Sequence, residues 1–234
     1  MFIDTAIGRN FARIHIGRAL IVCHGFPYEP GSVVDKGYGE LAEFFSRITP
    51  TVVFDFSGCG YSKGKFSVEG WVEDLKRIAG KFERVSIIGY SMGGLVAIRA
   101  GAELDNLERI VSISAPLPEI FSNERIATMF ENARRIMRTG DFEEFRSEME
   151  KAGKVDPRSY VRKIKAPKLV VHGTKDEVVP YECGETIYRE AEEPKAFLKV
   201  VDGDHFLRRN PKVMRTVAEW LEGKIKEKEI EIRL

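Results

Sequence analysis

The chain has 234 residues, 43% of them hydrophobic and 31% charged, with 37 basic side chains against 36 acidic ones. A chain of this size buries roughly 70% of its unfolded surface, so its core needs neither disulfide nor metal. A net charge of +1 supplies no field for nucleic acid or anionic lipid, and no apolar run is long enough for a membrane span or a signal peptide.

These properties predict a cytoplasmic protein with no nucleic-acid partner and no membrane span. Three cysteines, Cys23, Cys59 and Cys183, are odd in number and widely spaced, which argues against a secreted disulfide scaffold and a structural zinc site; Cys23 and Cys59 fall near the expected sheet edge, where a reagent could modify them, but their ordinary reading is inert packing. From the N-terminus, the stretch Phe2 to Ile16 is broken by Gly8-Arg9-Asn10 and predicts a hairpin on a sheet edge. Short β-branched runs follow at Leu20 to Cys23, Val52 to Phe54, Val85 to Ile88, Ile110 to Ile113, Leu169 to Val171 and Phe197 to Val201. Mostly unalternated, they suit strands buried on both faces. Helical stripes lie between them, as in Val72, Leu75, Ala79 and Phe82. The alternation predicts an α/β fold: a mostly parallel, twisted sheet flanked by helices.

From Pro116 to Pro167 no strand run occurs, and apolar residues recur at helical spacing. The expected organisation is a core of residues 1–115 and 167–234 with a helical insertion at 116–166. Met129, Phe130 and Met137 on its apolar stripe are core by the ordinary reading; an adaptable cover over a pocket is the functional one. The charged segment Lys226 to Leu234 reads as a solvated tail, with an edge strand at a homodimer contact as the alternative.

The sharpest chemical signal is Gly89-Tyr90-Ser91-Met92-Gly93, between a buried strand run and the small-residue helix that begins at Gly94. Strand, tight turn and helix push a serine hydroxyl above the sheet edge, and the glycines leave room for neighbouring backbone. A serine hydroxyl attacks at neutral pH only if a base takes its proton. Of four histidines, His15 falls in an early strand, and His24 and His172 each follow a strand, where fixing a loop is their ordinary role. His205, in Asp202-Gly203-Asp204-His205-Phe206, follows the last strand run at the C-terminal sheet edge, where sites on open α/β sheets form. The base needs a carboxylate to orient it. Asp176 occupies a loop at the same edge and is favoured over Glu177, Asp202 and Asp204. The backbone N–H groups of Met92 and Phe26 are the expected donors to an oxyanion; Pro27 has none to give. Tyr90, Met129, Phe130, Met137 and Phe206 are the candidate pocket residues. The glycine-rich Gly58 to Gly64 fits neither the dinucleotide nor the P-loop spacing.

With His24-Gly25-Phe26, Asp55 to Ser62, Gly89 to Gly94, His172 to Asp176 and Gly203 to Phe206 in this order, the chain resembles the α/β-hydrolases over nearly its whole length. Among these it is similar to small bacterial cinnamoyl or feruloyl esterases and to monoglyceride-lipase-like enzymes. The resemblance implies a Ser-His-Asp triad of Ser91, His205 and Asp176, no cofactor, a small-molecule ester substrate, a structural role for Asp55, and a helical lid at 116–166. Tyr90 stands where many such proteins carry His, and Ser57 and Cys59 stand where Arg and His are common. The expected activity is carboxylic ester hydrolysis through an acyl-enzyme. Thioester or peptide hydrolysis, acyl transfer with the same triad, and a slow-turnover binding protein on this fold are the alternatives.

Overall fold

The β-branched runs become the middle of one eight-stranded sheet in a computed structural model that describes Ile3, Asp4 and residues 17–234. In chain order the strands are β1 (Ile3–Asp4), β2 (Arg18–Cys23), β3 (Thr51–Phe54), β4 (Arg84–Tyr90), β5 (Leu107–Ile113), β6 (Lys168–Gly173), β7 (Lys195–Val201) and β8 (Glu229–Arg233). Their spatial order is β1-β3-β2-β4-β5-β6-β7-β8, with β1 antiparallel to β3 and the other pairings parallel. The helices are α1 (Tyr38–Ser46), α2 (Val68–Ala79), α3 (Met92–Gly101), α4 (Asn123–Ala133), α5 (Phe142–Lys154), α6 (Pro157–Val161), α7 (Tyr181–Glu190) and α8 (Pro211–Leu221).

The two-residue period of a strand divides the core in two. Leu20 and Val22 of β2 face α1 and α8, whereas Ile21 and Cys23 face the side of α2, α3 and α7. Strand β2 lies between β3 and β4, so the chain order reverses there, and the loops after β2 and β4 open a crevice at the C-terminal ends of the strands. In that crevice the backbone of Gly93 packs so closely that a Cβ would strike the carbonyl oxygen of His24. All three cysteines are buried and unbonded, and burial pushes the thiols of Cys23 and Cys59 far above their usual range.

Between β5 and β6 the chain runs through α4, α5 and α6. Phe145 of α5 is fully buried, with its ring centroid 5.6 Å from that of Phe66. Arg138 exchanges backbone hydrogen bonds with the other side of the crevice, donating to the Gly58 carbonyl at 2.8 Å and accepting from the Phe66 N–H at 2.7 Å. Its guanidinium donates to the carbonyls of Gly64 and Ser62. The second half of this segment is therefore fastened to the sheet's flank.

One sequence expectation changes and another lies outside the described residues. The predicted hairpin from Phe2 to Ile16, apart from Ile3–Asp4, lies outside the described residues, as does His15. The C-terminal segment is no tail: Glu229–Arg233 adds β8 parallel to β7. Ile230 and Ile232 alternate with charges and pack against the α1 and α8 core, a pattern that a charge count alone conceals. Among the described residues, no helix is long and apolar enough to cross a membrane.

The approach of Gly93 to His24 makes a direct prediction. Gly93→Ala forces backbone apart and should cost about 1–3 kcal/mol or more of stability in urea unfolding; an unchanged midpoint would show that the two loops do not touch.

Candidate active site

Ser91 joins β4 to α3 with φ 52° and ψ −123°. A non-glycine residue holds this left-handed φ only when its surroundings over-determine it. Here the Ser91 N–H donates to the Ile113 carbonyl at 2.8 Å, and the Ser91 carbonyl accepts from Gly94 at 2.8 Å and Leu95 at 3.2 Å. On the other side Gly25 abuts the turn, and a Cβ there would lie 2.9 Å from the Ser91 Cβ and from the Tyr90 oxygen. The serine is half-buried.

Asp176, in the loop after β6, has a fully buried side chain. Its Oδ1 accepts from the Val178 N–H at 3.0 Å and the Val179 N–H at 2.8 Å, and its Oδ2 lies 2.8 Å from Nδ1 of His205. A carboxylate in this role only accepts, so Nδ1 of His205 carries the hydrogen and Nε2 keeps a lone pair. Burial pushes the Asp176 carboxyl up, but the hydrogen bonds from His172 and His205 and the nearby peptide N–H groups outweigh it and hold the group well below the usual carboxylate range. The rivals are otherwise engaged or exposed: Asp202 pairs with Lys175 at 2.9 Å, Asp204 caps the Phe206 N–H at 2.8 Å, and Glu177 is exposed.

His24 and His172 fix loops. Nδ1 of His24 faces the Gly25 carbonyl at 2.6 Å and Nε2 faces the Phe56 N–H at 3.0 Å, so the first donates and the second accepts. Burial among Tyr38, Phe56 and Trp71 pushes this imidazole down to about 4. His172 sends Nε2 to the Val179 carbonyl at 2.9 Å and lies 3.4 Å from Asp176. It braces the carboxylate from behind. Asp55 organises the loop after β3, accepting from the N–H groups of Val33 at 2.8 Å and Tyr61 at 3.0 Å.

Two cavities meet at Ser91. One, of about 210 Å³, is lined by Ser91 and His205 together with Tyr28, Lys36, Arg208 and Arg209. The other, of about 440 Å³, lies under α4 and is largely apolar, lined by Met92, Ile120, Phe121, Met129 and Ile136. Phe26 borders both, and among the described residues its N–H and that of Met92 donate to no protein acceptor.

Of the candidate pocket residues, Met129 lines the apolar cavity and Tyr90 and Phe206 line the smaller one. The Tyr90 hydroxyl itself points away, to Met214 Sδ at 3.0 Å. Phe130 and Met137 line neither cavity. Phe130 packs against Phe142 and Phe145, and Met137 is buried in the core. Phe130 is one residue beyond Met129, about 100° round the helix, so one stripe of α4 faces the cavity and its neighbour faces α5. Ile120, Phe121 and Ile136 were legible only as apolar residues of the insertion. Tyr28, Lys36, Arg208 and Arg209 carried no motif.

A parallel sheet with its order reversal at β2, a strained serine turn and a histidine–carboxylate pair at one rim define a member of the alpha/beta hydrolase family, to which this chain belongs: the family's model matches residues 20–216. The uncharacterized protein YfhR of Salmonella typhimurium is 27% identical over 166 residues, covering 65% of this chain and 53% of that protein. Alpha/beta hydrolase domain-containing protein 17B of Xenopus laevis is 27% identical over 191 residues, covering 76% and 59%. The chain thus spans between half and two thirds of these curated relatives. A monoacylglycerol lipase from Paleococcus ferrophilus shares the fold with a TM-score of 0.67 at 22% identity, over 88% of this chain and 95% of that one. Est1E from Butyrivibrio proteoclasticus, solved with ferulic acid, shares it with a TM-score of 0.70 at 19% identity, over 95% and 92%.

His24 supplies a pH prediction. Its folded-state value of about 4 lies below that of an exposed imidazole, near 6.5. The unfolded chain therefore binds the extra proton, and stability is full above about pH 6.5 and falls by about 3 kcal/mol toward pH 4. Imidazole NMR should find His24 neutral down to about pH 4; protonation near 6.5 in the folded protein would refute the assignment.

Proposed function

We propose that this chain is a serine hydrolase of carboxylic esters. The observation that carries the reading is the 2.8 Å bond from His205 Nδ1 to the buried Asp176, with His205 lining the same cleft as Ser91. In the proposed reaction Ser91 Oγ attacks the ester carbonyl while its proton passes to Nε2 of His205. Asp176 fixes the reactive tautomer and stabilises the imidazolium. The Phe26 and Met92 N–H groups, which have no protein acceptor among the described residues, donate to the developing oxyanion. Collapse of the tetrahedral intermediate breaks the ester C–O bond, and Nε2 returns the proton to the departing alkoxide. Water then repeats the sequence on the acyl-enzyme, giving the acid and free Ser91. Only side chains, backbone and water take part; no cofactor is needed.

The need to protonate the leaving oxygen assigns the cavities. The alcohol portion must lie beside His205, in the smaller cleft, and the acyl portion then occupies the apolar cavity under α4. At about 440 Å³ that cavity suits a medium-length or aromatic acyl group. In this reading residues 116–166 act as a cap whose working part is α4, because Arg138 and Phe145 fasten the remainder.

Ser91→Ala should abolish labelling by a fluorophosphonate, and undiminished labelling would overturn the nucleophile assignment. Asp176→Asn should keep the fold but lower kcat on p-nitrophenyl butyrate by on the order of 10³–10⁴, since the histidine tautomer would be wrong; a near-normal rate would place the orienting acid elsewhere.

A further inference from the structure

The two cavities beside Ser91 differ in electrostatics as well as in size. Among the described residues, the apolar cavity carries one charged side chain, Arg125, whose guanidinium donates to the Val178 carbonyl. Among the described residues, the cleft on the His205 side carries three cations, Lys36, Arg208 and Arg209, against one carboxylate, Glu29. Glu29 is already bonded to Lys36 at 3.0 Å. The two arginines form no ion pair with any carboxylate among the described residues. Asp176, behind His205, has its oxygens occupied by the Val178 and Val179 N–H groups and the histidine.

Arg208 is also held in place. It is half-buried, its guanidinium carbon lies 4.7 Å from the centre of the Tyr38 ring, and Nη1 lies 3.2 Å from where a Cβ on Gly37 would be. Arg209 extends over the Phe206 ring, 4.7 Å from its centre. A cation removed from part of its water and left without a counter-ion carries an electrostatic cost that an incoming anion relieves. A guanidinium already ordered by an aromatic face loses little further freedom on binding.

We propose that the leaving-group side of this site recognises an anion, so that the favoured substrates are esters of an alcohol bearing a phosphate or carboxylate group. The proposal rests on the ester-hydrolase reading, because the chemistry at His205 is what makes this cleft the alcohol side. Arg208 supplies the fixed donor and Arg209 a second charge at the rim. Bidentate hydrogen bonding of a guanidinium to either oxyanion is the geometry that Arg, rather than Lys, provides.

The test compares matched butyryl esters. The esters of glycerol 3-phosphate and of 4-hydroxybenzoate carry the two anions; butyrylglycerol and the butyryl ester of methyl 4-hydroxybenzoate are their neutral partners. The expected outcome is a kcat/KM at least about tenfold higher for an anionic member than for its neutral partner, shrinking as salt rises from ~0.05 to ~0.5 M. The ratio should fall toward one in the Arg208→Gln, Arg209→Gln double variant and return only in part in Arg208→Lys, Arg209→Lys, which keeps the charge but loses the bidentate fork. Which pair shows the preference distinguishes phosphate from carboxylate. In parallel, glycerol 3-phosphate, 4-hydroxybenzoate and glycerol are titrated into the Ser91→Ala protein by calorimetry, with circular dichroism showing that each variant is folded. Equal turnover of anionic and neutral esters, or a preference untouched by the glutamine substitutions, overturns the proposal and leaves the hydrolase reading standing. Arginine-dependent anion binding without turnover of any ester supports the anion site and defeats the hydrolase reading. Neither turnover nor anion binding defeats both.

Discussion

The geometry of the site depends on two stretches of backbone meeting with no side chain between them. Gly25, after β2, lies against the Ser91 turn, and Gly93, in the first turn of α3, lies against the carbonyl of His24. Neither contact survives a Cβ in place. Because the strands are parallel and their order reverses at β2, the loop after β2 and the turn after β4 belong to adjacent strands of one rim. That adjacency brings Phe26 and Met92 to the wall of one cavity and holds Ser91 at its positive φ. The buried His24 secures the outer side of the same loop by bridging the Gly25 carbonyl to the Phe56 N–H. A neutral, fully hydrogen-bonded imidazole suits this position, since charging Nε2 would set a donor against a donor.

The histidine–carboxylate pair is assembled on a different principle. Asp176 is buried, and an unpaired carboxylate in that place would be strongly disfavoured. Two peptide N–H groups, His205 and His172 converge on it, so the charged form is the stable one despite burial. The cost of burying this carboxylate makes its neighbours interdependent: removing any donor leaves a charge in a dry site, which links the rigidity of the loop after β6 to the orientation of His205.

Much of this arrangement was legible in the sequence because it rests on local signals. The buried strands follow from β-branched runs, the turn from glycines around Ser91, and the separation of Asp176 from its rivals from where each falls relative to a strand. The residues that were misplaced depend on facts no local pattern holds. Met129 and Phe130 are equally apolar neighbours on one helix; which faces the cavity is decided by the position of Phe145 in α5, across a turn. Met137 is held in the core by backbone pairing of Arg138 with Gly58, some eighty residues earlier in the chain. The terminal segment reads as a tail or an edge strand, and the strand is what forms, because it needs only one apolar face: Ile230 and Ile232 provide it while Glu231 and Arg233 keep the other face wet. Lys36, Arg208 and Arg209 converge only after α1 and the turn before α8 pack side by side.

The two sides of the cleft share Phe26, Pro27, Tyr28 and Ser91 and differ in the rest of their walls. The apolar cavity takes one wall from α4 and the segment leading into it, inserted between β5 and β6, and another from Val178 and Val179 of the loop after β6. The charged cleft takes its wall from residues between β2 and α1 and from the short turn Leu207–Arg209 directly after His205. That turn is continuous with the histidine loop, so a ligand drawing on Arg208 acts through two intervening residues on the backbone that orients His205. In the proposed reaction both sides are coupled to the His205–Asp176 pair, the acyl side through Val178 and Val179, which line the apolar cavity and donate to Asp176, and the leaving-group side through the turn after His205. On the proposed reading, a cation fixed over Tyr38 and joined to the histidine loop would convert the binding of a distant charge into positioning of His205 as the base, which is where binding energy from the non-reacting part of a substrate serves a chemical step.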